Sequence, residues 1–209
     1  MSVSASAPDD AILTIDCFGC FVLQINWEKR KKGDRQNDCL VSVDGTDCKI
    51  PLQITNPKAF YSHKFKGSGL RYEVGVCIMT GHIVWVMGPF PCGDWPDINI
   101  FRYALKHRLD PFERVEADDG YVGEDPANIK VPGSVVHDHD DRQLIVRTRV
   151  RRRHEGINKR IKQFKCVETV FRQDIAFHKD CFFACAVLTQ LEIENGHPHF
   201  DTSEYKDPA

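Results

Sequence analysis

Residues 37 to 50 read NDCLVSVDGTDCKI, and the alternation inside this stretch is where the fold is decided. Cys39, Val41 and Val43 alternate with Leu40 and Ser42, and β-branched and small apolar residues at that period suit a half-buried strand. Asp44 interrupts the pattern, and Gly45 and Thr46 follow it. The carboxylate is therefore expected at the end of the strand, where the chain bends or other backbone comes close. Two roles are open to an acid in that place: a turn aspartate bonding its own backbone, or a hard-metal ligand at a strand end.

The composition narrows the classes of protein to which this strand can belong. With 209 residues, 42% hydrophobic and 28% charged, the chain can bury a substantial core and fits one globular domain with decorations. We divide it into an N-terminal extension or remnant (1–36), a main domain (37–200) and a polar tail (201–209). A net charge of -2 excludes a uniformly basic protein, so nucleic-acid contact has to come from local clustering. Nine cysteines without the close regular spacing of a small secreted scaffold, and no basic start followed by an apolar signal core, point to reduced thiols in an intracellular compartment. No run of about 18 apolar residues occurs, so no membrane-spanning helix and no membrane partner are expected.

Before the Asp44 strand lie Cys17-Phe-Gly-Cys20, which as a zinc site would need two more ligands, and the charged run EKRKKGDRQND (Glu28 to Asp38), which reads as a solvated connector. After it, Pro51 to Gly69 reads as an extended loop with a basic edge. Lys64 and Lys66 are interleaved there with Tyr61 and Phe65, an arrangement that either tracks a phosphate backbone and stacks on a base or pins the loop. Leu70 to Met79 and His82 to Met87 form an expected antiparallel hairpin about a two-residue Thr80-Gly81 turn. GPFPCGDWPD (88 to 97) ends the sheet pattern. A helix is expected over Ile98 to Leu109, with Asp97 placed to cap it. Phe112 to Ala117 then reads as a strand leading into Asp118-Asp119-Gly120-Tyr121, which repeats the opening pattern of a strand, an acid and a glycine. Gly123 to Asp141 reads as a loop, and its His137-Asp138-His139-Asp140-Asp141 run is either solvated or metal-binding.

From Arg147 to Lys165 there are nine Lys or Arg in 19 residues, with Glu155 the only acid. On a helix, Val146, Val150, Ile157, Ile161 and Phe164 fall in one stripe, and Glu155 lies about 150° from its centre, sharing an outward face with Arg151, Asn158, Lys159 and Lys162. Such a helix is either a solvated one, in which Glu155 makes ordinary spaced pairs with Arg151 and Lys159, or one laid across a cleft, with Glu155 supplying a metal oxygen and the bases holding phosphates. Phe177 to Leu191 is apolar enough for a buried helix. Acids at two strand ends and on one helix can converge at one end of a sheet, where their mutual repulsion calls for divalent cations. Two such cations serve an in-line phosphodiester displacement.

In this order VDGTD around Asp44, YSHKFKGSGLRYEVGV from Tyr61, GPFPCGDWPDINIFR, ADDGY around Asp118 and RRRHEGINKRIKQF around Glu155 resemble the DDE endonuclease domain of PIF/Harbinger-type transposases, over about Trp27 to Phe200. The resemblance implies an α/β fold, an RNase H-like mixed sheet with flanking helices. It also implies a divalent Mg2+ or Mn2+ cofactor, a nuclear location, and cutting and joining of DNA at transposon ends. Asp44, Asp118 and Glu155 are its implied catalytic and metal-binding acids, with Asp97 as an additional acid and Asp119 adjacent to the second. Arg151, Lys159, Lys162, Lys64 and Lys66 are the DNA-binding candidates. Ala11 to Trp27 contains no recognition helix with basic base-reading positions, so end recognition is expected from a separate DNA-binding partner protein, and a homo-oligomer is left open. The alternative is a catalytically silent module that keeps the fold and binds DNA or another protein.

Overall fold

The computed structural model describes residues 25–31, 39–53, 55–131 and 141–196, with only the backbone described for Lys31 and for residues 141–149. The Cys17/Cys20 pair, most of the Ala11 to Trp27 patch, the His137 to Asp140 run and the 201–209 tail lie outside the described residues. After a 3₁₀ turn at Trp27–Lys31 come strands β1 (Cys39–Lys49), β2 (Tyr61–Ser62), β3 (Gly67–Cys77) and β4 (Ile83–Pro91). They are followed by helix α1 (Asp97–Tyr103), strands β5 (Arg114–Glu116) and β6 (Ile129–Lys130), and helices α2 (Asp141–Ile161), α3 (Lys165–Glu168) and α4 (His178–Glu194).

These elements build a mixed α/β structure on a six-stranded sheet with β1 in its interior. On one side β1 pairs antiparallel with β3 from Val41↔Cys77 to Lys49↔Gly69. On the other it pairs parallel with β5, but only from Cys39 to Ser42. β6 extends the parallel side, β4 lies antiparallel on the far edge of β3, and the short β2 pairs with the start of β3.

The period of two along each strand sends alternate residues to opposite faces, and each face is covered. Cys48, Leu70, Tyr72, Val74 and Val76 pack against Ile157 and Ile161 of α2 and Phe182 and Ala186 of α4, with the Tyr72 and Phe182 rings stacked at 3.8 Å between centroids. Val41, Val43, Cys77 and Val115 pack against Phe101 of α1, Leu105 and Tyr121 on the other face. Each large apolar side chain buried completely in these layers stabilises the fold by about 1.5–3 kcal/mol. Val150, Ile157 and Ile161, three of the stripe residues read from the sequence, are 2%, 0% and 0% exposed. They pack α2 on the sheet, and His154, Asn158 and Lys162 beside them reach Ser42, Asp44 and the Asp47 carbonyl of β1.

Several expectations need correction. β1 does not end at Asp44, because Gly45, Thr46 and Asp47 continue the ladder opposite Glu73, Tyr72 and Arg71. The hairpin forms, but its connection spans residues 78–82, with Gly81 at φ 71° supplying the left-handed step. The expected helix to Leu109 breaks at Ala104, and a 3₁₀ turn at Leu105–Arg108 follows. Phe112, read as strand, is 95% exposed at φ 69° ahead of β5. The Gly123 to Asp141 stretch contains β6, whose Ile129 is buried. The basic helix ends at Ile161, and Phe164 precedes α3 instead of extending α2. In the charged connector Arg30 is 1% exposed. It is held by Glu113 at 2.7 and 2.9 Å and by Asp110 at 3.1 Å, so that part of the connector is not solvated.

Candidate functional site

The two parallel strands part where the acids stand. Ser42 of β1 and Glu116 of β5 form their last pair, and Asp44 and Asp118 each follow that pair by two positions, the spacing that returns a side chain to the same face. α2 crosses this face. Ser42, Asp44, Glu116, Asp118 and Asp119 line one cleft of about 190 Å³ together with Val150, Arg151, His154 and Glu155 of α2. Asp44, Asp118 and Glu155 thus share one cleft, and Arg151 lines it with them.

Each acid has a different environment. Asp44 is half-buried and accepts a 2.9 Å hydrogen bond from Asn158 Nδ2. Burial raises its pKa, Lys64 opposes the rise, and the charge of Asp118 adds to it. Asp118 caps the following 3₁₀ turn, its Oδ1 accepting from Gly120 N at 2.9 Å. Glu155 is exposed on the rim of the cleft. Asp119, exposed, stands 4.0 Å from Arg151. His154 is buried, with Nδ1 3.0 Å from Ser42 Oγ. Burial lowers its pKa to about 4 against the pull of Asp118 and Glu155, so the imidazole is neutral at pH 7.

Asp97 belongs to the opposite face. It does not cap α1: Pro96 holds the cap position, and no side chain bonds the free amides. Its Oδ1 lies 3.3 Å from Arg71 Nε, and Arg71 in turn clamps Asp47 through contacts of 2.7 and 3.0 Å. Burial raises the Asp97 pKa to about 6, opposed by Arg71 and Lys64 and reinforced by Asp44. A β-carbon built on Gly120 would lie 3.0 Å from both Asp118 Oδ1 and Asp97 Oδ2, so that glycine lets the two acids approach from their two sides. Beneath them Glu73, 0% exposed, accepts hydrogen bonds from Trp85 Nε1 at 2.9 Å and Tyr121 OH at 3.3 Å.

The basic candidates divide by what they touch. Lys64 Nζ donates to Gly45 O at 2.6 Å and Lys162 Nζ to Asp47 O at 2.9 Å, which places two ammonium groups on the β1 backbone just past Asp44. Each has two further N–H groups to offer. Lys159 is exposed on α2. Lys66 is exposed in the turn before β3 at φ 55°.

The donors that a divalent cation would find are hard carboxylate oxygens in one cleft, and the upward shift of Asp44 is of the kind that a bound cation relieves. By donor type and by shared cleft the residues fit such an ion. As the side chains stand, no group of three His, Cys, Asp or Glu among the described residues is spaced to hold a metal, and Glu155 is exposed. No disulfide joins the seven described cysteines, and no helix among the described residues is long and apolar enough to cross a membrane. No family model, curated protein or solved structure matches the chain.

Sequence reasoning did not single out Ser42, Asp47, Arg71, Glu73 and His154. The signal for two of them was present: in LRYEVGV, Arg71 and Glu73 stand two apart in an otherwise apolar strand. Charges at the strand period on a buried face imply partners on the neighbouring strand.

Proposed function

We propose that this chain is a metal-dependent DNA endonuclease or transposase domain with an RNase H-like sheet. It resembles the DDE endonuclease of PIF/Harbinger-type transposases. The observation that carries the reading is the placement of Asp44 and Asp118 just past the last pair of two parallel strands, in one cleft with Glu155 of the crossing helix. The sheet order β4-β3-β1-β5-β6, antiparallel up to β1 and parallel beyond it, supports the same reading.

Asp44, Asp118 and Glu155 would hold Mg2+ or Mn2+. A divalent cation bound there supplies Lewis acidity at a phosphodiester and acidifies the attacking water or hydroxyl. The chain's own groups position the substrate: Lys64 and Lys162 beyond Asp44, Arg151 in the cleft wall and Lys159 on α2 offer cations to successive phosphates, with Lys66 further along the β2–β3 turn. Asn158 orients the Asp44 carboxylate. Asp97, behind Gly45, adds negative charge to the cluster from the other face. The reading carries a nuclear location and a separate DNA-binding partner with it.

The test is magnesium-dependent nicking of supercoiled plasmid by the purified chain, compared with Asp44→Ala. The wild type should nick and the variant should lose about 10²-fold or more of the rate, the scale of removing a group that stabilises developing charge. Equal nicking by both would sink the assignment. Equal DNA binding by both, with no nicking by either, would leave a catalytically silent DNA-binding module in its place.

A further inference from the structure

The wall of the acid cleft contains a nitrogen with nothing to bind. His154 lines the cleft with Asp44, Asp118 and Glu155, and the residue is 4% exposed. Nδ1 is engaged by Ser42 Oγ at 3.0 Å, while the buried Nε2 has no hydrogen-bond partner. The Ser42 hydroxyl donates to Val76 O at 3.4 Å. With the hydroxyl in that direction, the tautomer is assigned with Nδ1 donating to Oγ and Nε2 carrying the lone pair.

The imidazole is not isolated in this respect. Asn158 Oδ1 and Arg151 Nη2 are also buried without hydrogen-bond partners, although Asn158 Nδ2 is already committed to Asp44. Positions 151, 154 and 158 are spaced three and four apart on α2, the spacing of one helix face. Buried polar atoms are as a rule satisfied by protein, water or an ion, and here three on one helix face, two of them lone-pair donors, stand about a cluster of carboxylates. A metal-ligating histidine characteristically donates its other ring N–H to an oxygen that fixes the tautomer, and Ser42 Oγ occupies that place.

We infer that His154 Nε2 is a cation ligand in this cleft, and that the site takes Mn2+ in preference to Mg2+. The inference rests on the acid cleft being a cation site. An imidazole nitrogen beside carboxylates favours first-row transition ions, whereas Mg2+ is suited by oxygen donors alone. Asp44 and Asp118 supply the charge, and His154 supplies the discrimination.

Pulsed EPR on the full chain loaded with Mn2+ tests this directly, with histidine labelled with 15N in a second sample. Wild type should show a nitrogen coupling that changes with the label. The coupling should vanish in His154→Gln, with Mn2+ binding at least about tenfold weaker and the Mn2+ preference over Mg2+ narrowed to a similar extent. It should vanish also in Asp44→Asn, which ties the nitrogen to this cleft even if the histidine variant fails to fold. Bound Mn2+ that is lost in Asp44→Asn but shows no nitrogen coupling in wild type overturns the role of His154 and leaves the acid site standing. Coupling that survives in either variant assigns the nitrogen elsewhere and also overturns it. Mn2+ binding that is absent in wild type, or unaffected by Asp44→Asn, removes the cation site itself and the inference with it.

Discussion

A β-carbon built on Gly45 would lie 1.7 Å from Asp97 Oδ1 and 2.5 Å from its Cγ, so the absence of a side chain there is what admits Asp97 behind Asp44. Gly45→Ala is expected to displace the carboxylate from Arg71 and destabilise the fold by about 1–3 kcal/mol, the usual range for overpacking a filled site. Gly45→Ala/Asp97→Ala should be less destabilised than the sum of the single changes, because the second removes the group the first collides with. Denaturant midpoints of the four proteins measure both effects, and strict additivity would contradict the geometry. In the sequence Asp97 reads as a helix cap because it opens the DINIFR run, and nothing local to it reveals that Gly45 and Arg71, diagonal neighbours on β1 and β3, meet it on one face of the sheet. Asp44 and Asp118 were legible as acids followed by glycine. Both glycines make room for Asp97, and Gly120 also donates its backbone N–H to Asp118 Oδ1.

At the scale of elements, α2 carries the division of labour that its composition concealed. Its buried stripe was readable because period and burial agree at Val150, Ile157 and Ile161. Its outward face was readable as basic but not as two kinds of base. Lys162 spends one N–H on the Asp47 carbonyl, and burial lowers its pKa, whereas Lys159 is exposed. Lys159→Ala should therefore flatten the slope of log affinity for DNA against log salt by about one unit, the effect of removing one cation from one phosphate, with thermal stability unchanged. Lys162→Ala should flatten the slope and also lower the melting temperature. Affinity titrations between low and moderate salt, paired with melting curves, separate the two, and identical behaviour of the variants would refute the distinction. The start of the connector was misread for a related reason: a run of charges looks solvated until a partner such as Glu113, far along the chain, is brought onto Arg30.

For the whole molecule, the buried acid beneath the cluster sets a stability that depends on pH. Burial raises the Glu73 pKa from 4.5 to about 8, against the hydrogen bonds from Trp85 and Tyr121 and with the help of Asp97. Between those two values the folded chain holds a proton that the unfolded chain has released, so stability falls as pH rises from about 4.5 to about 8. Glu73→Gln should match wild type near pH 4 and exceed it at pH 9 by an amount on the order of a few kcal/mol. Unfolding curves across that range in the presence of a chelator measure the difference, and parallel pH profiles for the two proteins would contradict it. β1, the β3–β4 hairpin and the two long C-terminal helices were legible because each is long and periodic. β2, β6 and the parting of β1 from β5 were not, since a two-residue strand has no period to read and the point where a ladder stops depends on both of its strands.

That parting has a mechanical consequence. β3 holds β1 along nearly its whole length, while β5 grips it only from Cys39 to Ser42. The backbone ties of the ledge of β5 and β6 to β1 are thus gathered at one end, while Val115 and Ile129 anchor the ledge in the core. Asp118 leaves that ledge past the last tie and Asp44 stands on the strand that β3 holds throughout, so the width between the two acids is set by side-chain packing and not by a backbone ladder.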